Sequence, residues 1–428
     1  RRAAGLDGAL MTSNGRRRVV VTGMGALTPL GNSADAFWAA AIAGQSGVRP
    51  FQELDASAYP CQVAGEVLDF DPTEYMDRKT ARRMARFSQF AVATAWQAAR
   101  AAGLDLNAIN RERTGVICGN GGGGYPNVEQ ANRTMQERGG MKIDPLYVAK
   151  WLPNMAAGNV SIQLGLLGYS STVVTACAAG TQAIGDATEV IRRGKADVMF
   201  AGGTEAGISE LGLAGFSTMR ALASSHNDDP TAASRPFDRD RDGFVPAEGA
   251  GMVVLEALDH ALARGATPLA EVLGYGVSAD ASYLVAPADN GEGAARAMRF
   301  ALDDADVQPT EVDFISAHAT ATDVGDIAET QAIKTVFGKH AYVTPASSMK
   351  SQTGHMLGGS GGAEFVAAVQ TILTGQIAPT LNLEHPDERC DLDYVPLKAR
   401  SIDVRTVVKN SFGFGGQNAV LVLRRYEA

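Results

Sequence analysis

Reactive chemistry in this sequence concentrates on one thiol and two imidazoles. The stretch VVTACAAGTQAIG, residues 173–185, places Cys177 between a β-branched run and a string of small residues. Free cysteines often pack as small hydrophobes. At the start of a helix, exposed N–H groups and the helix dipole instead lend a thiol thiolate character. Of the six histidines, His226, His260, His340 and His385 stand in polar, loop-like or helix-surface contexts, which read as solvent-exposed. His318 ends the apolar run DFISAH, and His355 lies in the glycine-flanked turn SSMKSQTGHMLGGSGG, five residues after Lys350. Strand-end loops are where α/β folds assemble sites.

Taken singly, either histidine reads equally as a core residue with a hydrogen-bond partner. Together with Cys177 they form a candidate acyl-transfer set. The thiol is a soft nucleophile able to carry a thioester, and neutral imidazoles can donate to a developing oxyanion or enolate. Metal binding by the same residues is the weaker alternative, since the sequence has no HxxxH or CxxC spacing and no carboxylate placed as a further ligand. The glycine-rich stretches TGMGALTPLG, GNGGGGYPN and FGFGGQN lack the spacing of a dinucleotide or P-loop site and read as tight turns. NSFGFGGQN, residues 410–418, could also bring a backbone N–H to a reacting carbonyl.

The elements that must hold these groups alternate between β-branched runs and helical patterns, the signature of an α/β fold with buried strands. Strands are expected at RVVVTGM, TGVICGN, STVVTAC, ADVMFAGG, GAGMVVLE, AEVLGYGVSA, VDFISAH, AYVTPASSM and NAVLVLRRY. A helix over residues 178–193 carries Ala183, Ile184, Ala187, Val190 and Ile191 on one face, Arg192 and Arg193 at its negative end, and Gly194 as a left-handed cap. TGVICGN resembles VDFISAHATAT, and TACAAGTQAIGDATEVIRRGKA resembles MKSQTGHMLGGSGGAEFVAAVQTILTGQI. This repetition implies two related halves, 18–265 and 266–428, after a tail of residues 1–17 that is read as non-native before Met11.

Composition sets outer bounds. A length of 428 residues exceeds one ordinary core, and 45% hydrophobic with 20% charged residues describes a soluble globular chain. A net charge of −9 argues against nucleic-acid binding, so an acidic partner would need a local basic patch. Four separate cysteines without a CxxC pair fit a reducing cytoplasm. Neither a membrane span nor a signal peptide is evident.

Five motifs in order, TACAAGTQAIG, RPFDRDRDGFVPAEGAG, SAHATATDVGDIAET, SSMKSQTGHMLGG and NSFGFGGQNAVLVL, resemble those of β-ketoacyl-acyl carrier protein synthases of the thiolase superfamily, most closely the type II elongation branch. The resemblance implies a five-layered αβαβα sandwich of two pseudo-symmetric halves, a homodimer, no cofactor, and ping-pong elongation by decarboxylating Claisen condensation. By that resemblance Cys177 accepts an acyl chain from acyl carrier protein, and His318 and His355 stabilise the enolate formed from malonyl-acyl carrier protein. Lys350, partnered by Glu364, supports the histidines. The N–H groups of Cys177 and Phe414 form an oxyanion hole, Thr320 and Thr322 bind the pantetheine arm, and Phe216, Phe244 and Phe414 line the acyl pocket. Arg78, Lys79, Arg82, Arg83, Arg86 and Arg220 are expected to form the patch that meets the carrier protein.

Departures from the family pattern are Ala319 after His318, Asp323 in place of a frequent proline, Pro246 and Ala247 in GFVPAEG, and DASYLVAP, where Ser282 and Tyr283 replace a stretch that often holds a histidine. They bear on substrate length and polarity. A ketosynthase of a type II polyketide or polyene pathway, working with a chain-length partner, is the nearest rival reading. A scaffold subunit without catalysis is disfavoured by Cys177, and thiolase-type degradation by the pair of histidines.

Overall fold

The computed structural model describes residues 10–12 and 15–427, so most of the expected tail, residues 1–9, 13 and 14, lies outside the described residues. Ten strands form the main sheet: β1 Val19–Leu27, β2 Thr114–Gly119, β3 Ser170–Val173, β4 Val198–Glu205, β5 Gly249–Ala257, β6 Ala270–Ala279, β7 Phe314–Ser316, β8 Ala346–Ser347, β9 Thr406–Gly413 and β10 Gln417–Arg424. Their spatial order is β8-β7-β9-β10-β6-β1-β5-β4-β2-β3. From each outer end inward the pairing is parallel, parallel, antiparallel, antiparallel. Strands β1–β5 and β6–β10 therefore trace the same path, joined only where Val20 and Val21 meet Glu271 and Ala270. The stretches that resemble each other in sequence occupy equivalent places: β2 matches β7, and β3 matches β8.

Six longer helices matter for the site: α1 Arg86–Ala101, α2 Tyr125–Arg138, α3 Ala179–Arg192, α4 Glu292–Ala305, α5 Asp323–Phe337 and α6 Ser360–Thr374. Helices α3 and α6 touch each other and strands of both halves, while α1 covers one outer face and α4 and α5 serve the other. Alternation along the strands feeds these layers, because successive side chains point to opposite faces. On β5, Val253 and Leu255 join the central apolar cluster, and Met252 and Val254 join the cluster beneath α1. On β10, Leu421 and Leu423 face the same centre, and Val420 and Val422 face the cluster beneath α4. Sheets buried on both faces need continuous apolar runs, which β1 shows with all nine residues VVVTGMGAL buried. The result is a layered helix–sheet–helix–sheet–helix sandwich, as the resemblance implies.

Two strand expectations are corrected. In AYVTPASSM only Ala346–Ser347 is strand, and the preceding Gly338–Tyr342 forms a 3-10 helix. The strand Thr406–Gly413 was not expected, because lysine, asparagine and serine interrupt its apolar run. The helix expected at 178–193 runs Ala179–Arg192, and Gly194 does adopt left-handed backbone with φ +67°. Exposure of the remaining histidines holds for His385 alone: His226, His260 and His340 are half-buried. His260 sits 2.7 Å from the buried Glu256 carboxylate.

Candidate active site

The two halves bring their strand ends to one cavity of about 670 Å³. Cys177 reaches it from a 3-10 turn, Ala176–Ala178, between β3 and α3. Ala176 holds left-handed backbone at φ +49°, a conformation that costs a non-glycine residue on the order of 1–3 kcal/mol and persists because packing enforces it. His318 follows β7, and His355 follows the short helix Lys350–Thr353 after β8. His355 Nε2 lies 2.9 Å from Cys177 Sγ, and the His318 and His355 ring centroids are 5.6 Å apart at near right angles. One thiol and two imidazoles thus converge, as the sequence motifs suggested.

Their protonation follows from burial. Both histidines are held well below the ordinary imidazole range, first by desolvation and then by the Lys350 charge. Desolvation also pushes the Cys177 thiol up to about 12, with Lys350 opposing. Burial thus outweighs the thiolate character that a helix start lends, so the sulfur is a thiol until a base takes its proton. Neutral His355 stands in contact to do so.

Hydrogen bonds assign the tautomers. Lys350 Nζ donates to the His318 carbonyl at 2.7 Å and approaches His318 Nδ1 at 3.4 Å. An ammonium can only donate, so Nδ1 accepts and Nε2 carries the hydrogen. His355 Nδ1 faces Ser360 Oγ at 3.1 Å. A hydroxyl can donate or accept there, so this ring can take a proton from sulfur or present Nε2–H. Lys350 is fully buried and pairs with equally buried Glu364.

The loop after β9 meets the nucleophile from the other half. A Cβ on Gly413 would lie 2.6 Å from the Thr175 carbonyl oxygen and 3.2 Å from the Cys177 nitrogen. Only glycine lets the chain pass that closely, which sets Phe414 beside the cysteine on the cavity wall. Phe216 and Phe244 pack edge-to-face at 5.3 Å, and Phe244 meets the His355 ring at 5.3 Å. Phe412, not singled out in the sequence, contacts the His318 ring at 5.6 Å. Thr320 and Thr322 face the same cavity with hydroxyls 3.2 Å apart. Of the departures, Val285 and Asp323 also line it, and Asp323 is held by Arg389 at 2.8 Å and Arg241 at 3.2 Å.

The basic residues divide. Arg78, Lys79, Arg82 and Arg83 are exposed, and Arg220 stands exposed on the cavity rim. Arg86 is exposed too, but differs in that its guanidinium makes two bonds to Glu248, at 2.9 and 2.7 Å, and one to the Val67 carbonyl at 2.8 Å. Its charge is paired with the buried Glu248 carboxylate.

Two buried ions were missed. Glu329 accepts the N–H groups of His318 at 2.8 Å and Ala319 at 2.7 Å, and Asn410 Nδ2 at 3.0 Å. Lys409 lies 2.8 Å from the second oxygen of Glu364. An acid on a helix such as α5 reads as solvated from sequence alone. The one available signal was a lysine inside the β-branched run TVVKNSF.

A profile described as the β-ketoacyl synthase N-terminal domain matches residues 16–261, and one for the C-terminal domain matches residues 269–384. The chain is 47% identical over 412 residues to a 3-oxoacyl-[acyl-carrier-protein] synthase 2 of Synechocystis sp., covering 96% of this chain and 99% of that protein. It is 46% identical over 412 residues, with the same coverage, to the protein of that name from Staphylococcus aureus. Among solved structures, the ishigamide ketosynthase/chain length factor superposes with a TM-score of 0.91 at 37% identity, covering 96% of this chain and 100% of that one. A β-ketoacyl synthase from Burkholderia phymatum gives 0.89 at 38% identity, again over 96% and 100%. Fold and converged thiol define a condensing enzyme of the thiolase superfamily. Within that class, the chain belongs to the β-ketoacyl synthase family.

Proposed function

We propose that the chain extends a Cys177-bound acyl group by decarboxylating Claisen condensation with malonyl-acyl carrier protein, releasing 3-oxoacyl-acyl carrier protein. The observation that carries this reading is the 2.9 Å contact between Cys177 Sγ and a neutral His355 Nε2, with the His318 donor beside them in one cavity. In the first half-reaction Sγ attacks the acyl thioester and its proton passes through His355 to the departing carrier thiol. The oxyanion is met by the N–H groups of Cys177 and Phe414. In the second, the malonyl C–C bond breaks, carbon dioxide leaves, and Nε2–H of His318 and of His355 hold the enolate oxygen. The carbanion attacks the acyl carbon, the C–S bond breaks, and the departing cysteine thiolate takes one proton from His355, which is replaced from solvent. Each preorganised donor of this kind lowers the barrier by about 2.7–4 kcal/mol.

Thr320 and Thr322 suit the pantetheine arm, and Phe216, Phe244 and Phe414 the acyl chain. Arg220, with Arg78, Lys79, Arg82 and Arg83, suits an acidic carrier protein. A homodimer is favoured by the terminal strand β3, whose free edge lies among Ile162, Leu167, Tyr169 and Val174, each at least 47% exposed. Fatty-acid elongation is the first reading for the pathway, from the names of the sequence relatives. A polyketide or polyene ketosynthase is the second, favoured by the likeness to the ishigamide ketosynthase/chain length factor. Incubation with acyl-carrier thioesters of graded length tests the first half-reaction: the peptide containing Cys177 should gain the acyl mass. A peptide that stays unmodified with every thioester would sink this function and leave a scaffold subunit.

A further inference from the structure

The catalytic cluster contains a second lysine that the condensation reading leaves without a task. Lys409, on β9, is wholly buried. Besides its 2.8 Å approach to Glu364 Oε2, its Nζ donates to Thr181 Oγ1 at 3.0 Å, to the Asn410 carbonyl at 2.9 Å and to Ser411 Oγ. Lys350 alone would neutralise Glu364. A second buried ammonium is costly unless fully partnered, and an apolar side chain would fill the same strand position without that cost.

Lys350 has three acceptors to serve: Glu364 Oε1, the His318 carbonyl and His318 Nδ1. The Nδ1 contact, at 3.4 Å, is the longest and the easiest to lose. Were Lys350 the sole cation on Glu364, both carboxylate oxygens would draw it from the ring. We propose that Lys409 is a positioning residue, which by holding Glu364 from its far side leaves Lys350 on His318 Nδ1 and keeps both imidazoles neutral donors.

This inference rests on the condensation reading and deepens it. The charged groups around Lys409 are Glu364 on α6, Lys350 beside β8 and Glu329 on α5, two cations and two carboxylates in all. Positive charge on Lys409 also disfavours protonation of His318 and His355, alongside burial and Lys350.

The test measures malonyl-carrier protein decarboxylation against pH for the wild type, Lys409→Met, Lys409→Gln and Lys409→Arg, with Cys177 acylation followed separately. For the neutral variants, decarboxylation should fall roughly tenfold at unchanged KM for malonyl-carrier protein, while acylation stays within about twofold. The acid limb of the decarboxylation profile should move upward by about one unit, as expected when a nearby cation is removed from an imidazole. Lys409→Arg should restore both. A folded neutral variant with wild-type rate and acid limb overturns the proposal, as does a parallel fall of acylation and decarboxylation without movement of the limb. If neither neutral variant folds, Lys409 is a structural group and the proposal falls. A wild type that does not decarboxylate overturns the condensation reading instead.

Discussion

Lys409→Met should make the protein more stable at neutral pH. Burial lowers the Lys409 pKa from 10.5 to about 8, against the pull of Glu364. A shift of that size corresponds to about 3 kcal/mol by which the fold disfavours the charged form. The penalty is fully present below the folded value, is relieved as pH rises from about 8 towards 10.5, and is absent above the unfolded value. Methionine removes the charge while Lys350 stays on Glu364, so the carboxylate is not orphaned. The gain is therefore up to about 3 kcal/mol at neutral pH, less whatever the lost hydrogen bonds to Thr181 and Ser411 return. Urea unfolding followed by tryptophan fluorescence, repeated across pH, measures it. The expected result is a higher midpoint for the variant at neutral pH and convergence with the wild type in strong base. A variant no more stable at neutral pH, or a difference that ignores pH, would refute the reasoning that this lysine is held at a cost.

Further expectations follow from the same geometry. His318→Ala should slow malonyl decarboxylation by roughly 100- to 1,000-fold while Cys177 still takes up acyl mass, because one enolate donor is lost and the nucleophile is not; equal loss of both steps would contradict the assigned roles. Gly413→Ala should impair acylation and condensation together, by about 100-fold or more, since its Cβ would meet the Thr175 carbonyl oxygen at 2.6 Å and push the loop from the cysteine. Single-turnover rates for each step check it. Arg86→Ala should lower the melting temperature without changing KM for the carrier protein, whereas Arg82→Ala and Arg83→Ala together should raise that KM, most at low salt.

Much of the site was legible because its chemistry is local in sequence. Cys177 and His318 stand just past strand ends and His355 in a glycine-flanked turn, each next to small residues, and the internal repetition implied chemistry where strand ends meet helix starts. The sequence could not show how burial acts on them. A helix start lends thiolate character, yet Cys177 is buried and desolvation prevails. The ion pair that sets Arg86 apart from its neighbours was not legible because its partner, Glu248, is 162 positions away. Glu329 and Lys409 escaped because the sequence does not show that these two polar residues are buried. The strand Thr406–Gly413 was hidden by its polar residues, of which Lys409 and Ser411 point towards Thr181 and Glu364 and Asn410 points the other way, towards Glu329.

Carbon-labelled malonyl-acyl carrier protein tests the central claim most directly. Protein preloaded with an acyl chain on Cys177 is mixed with malonyl thioester labelled in its free carboxyl group, and labelled carbon dioxide and carrier-bound product are counted together. One carbon dioxide is expected for each 3-oxoacyl chain two carbons longer, with Cys177 returned unmodified. Retention of the label in the product, or carbon dioxide released from an acylated enzyme without any lengthened chain, would contradict it.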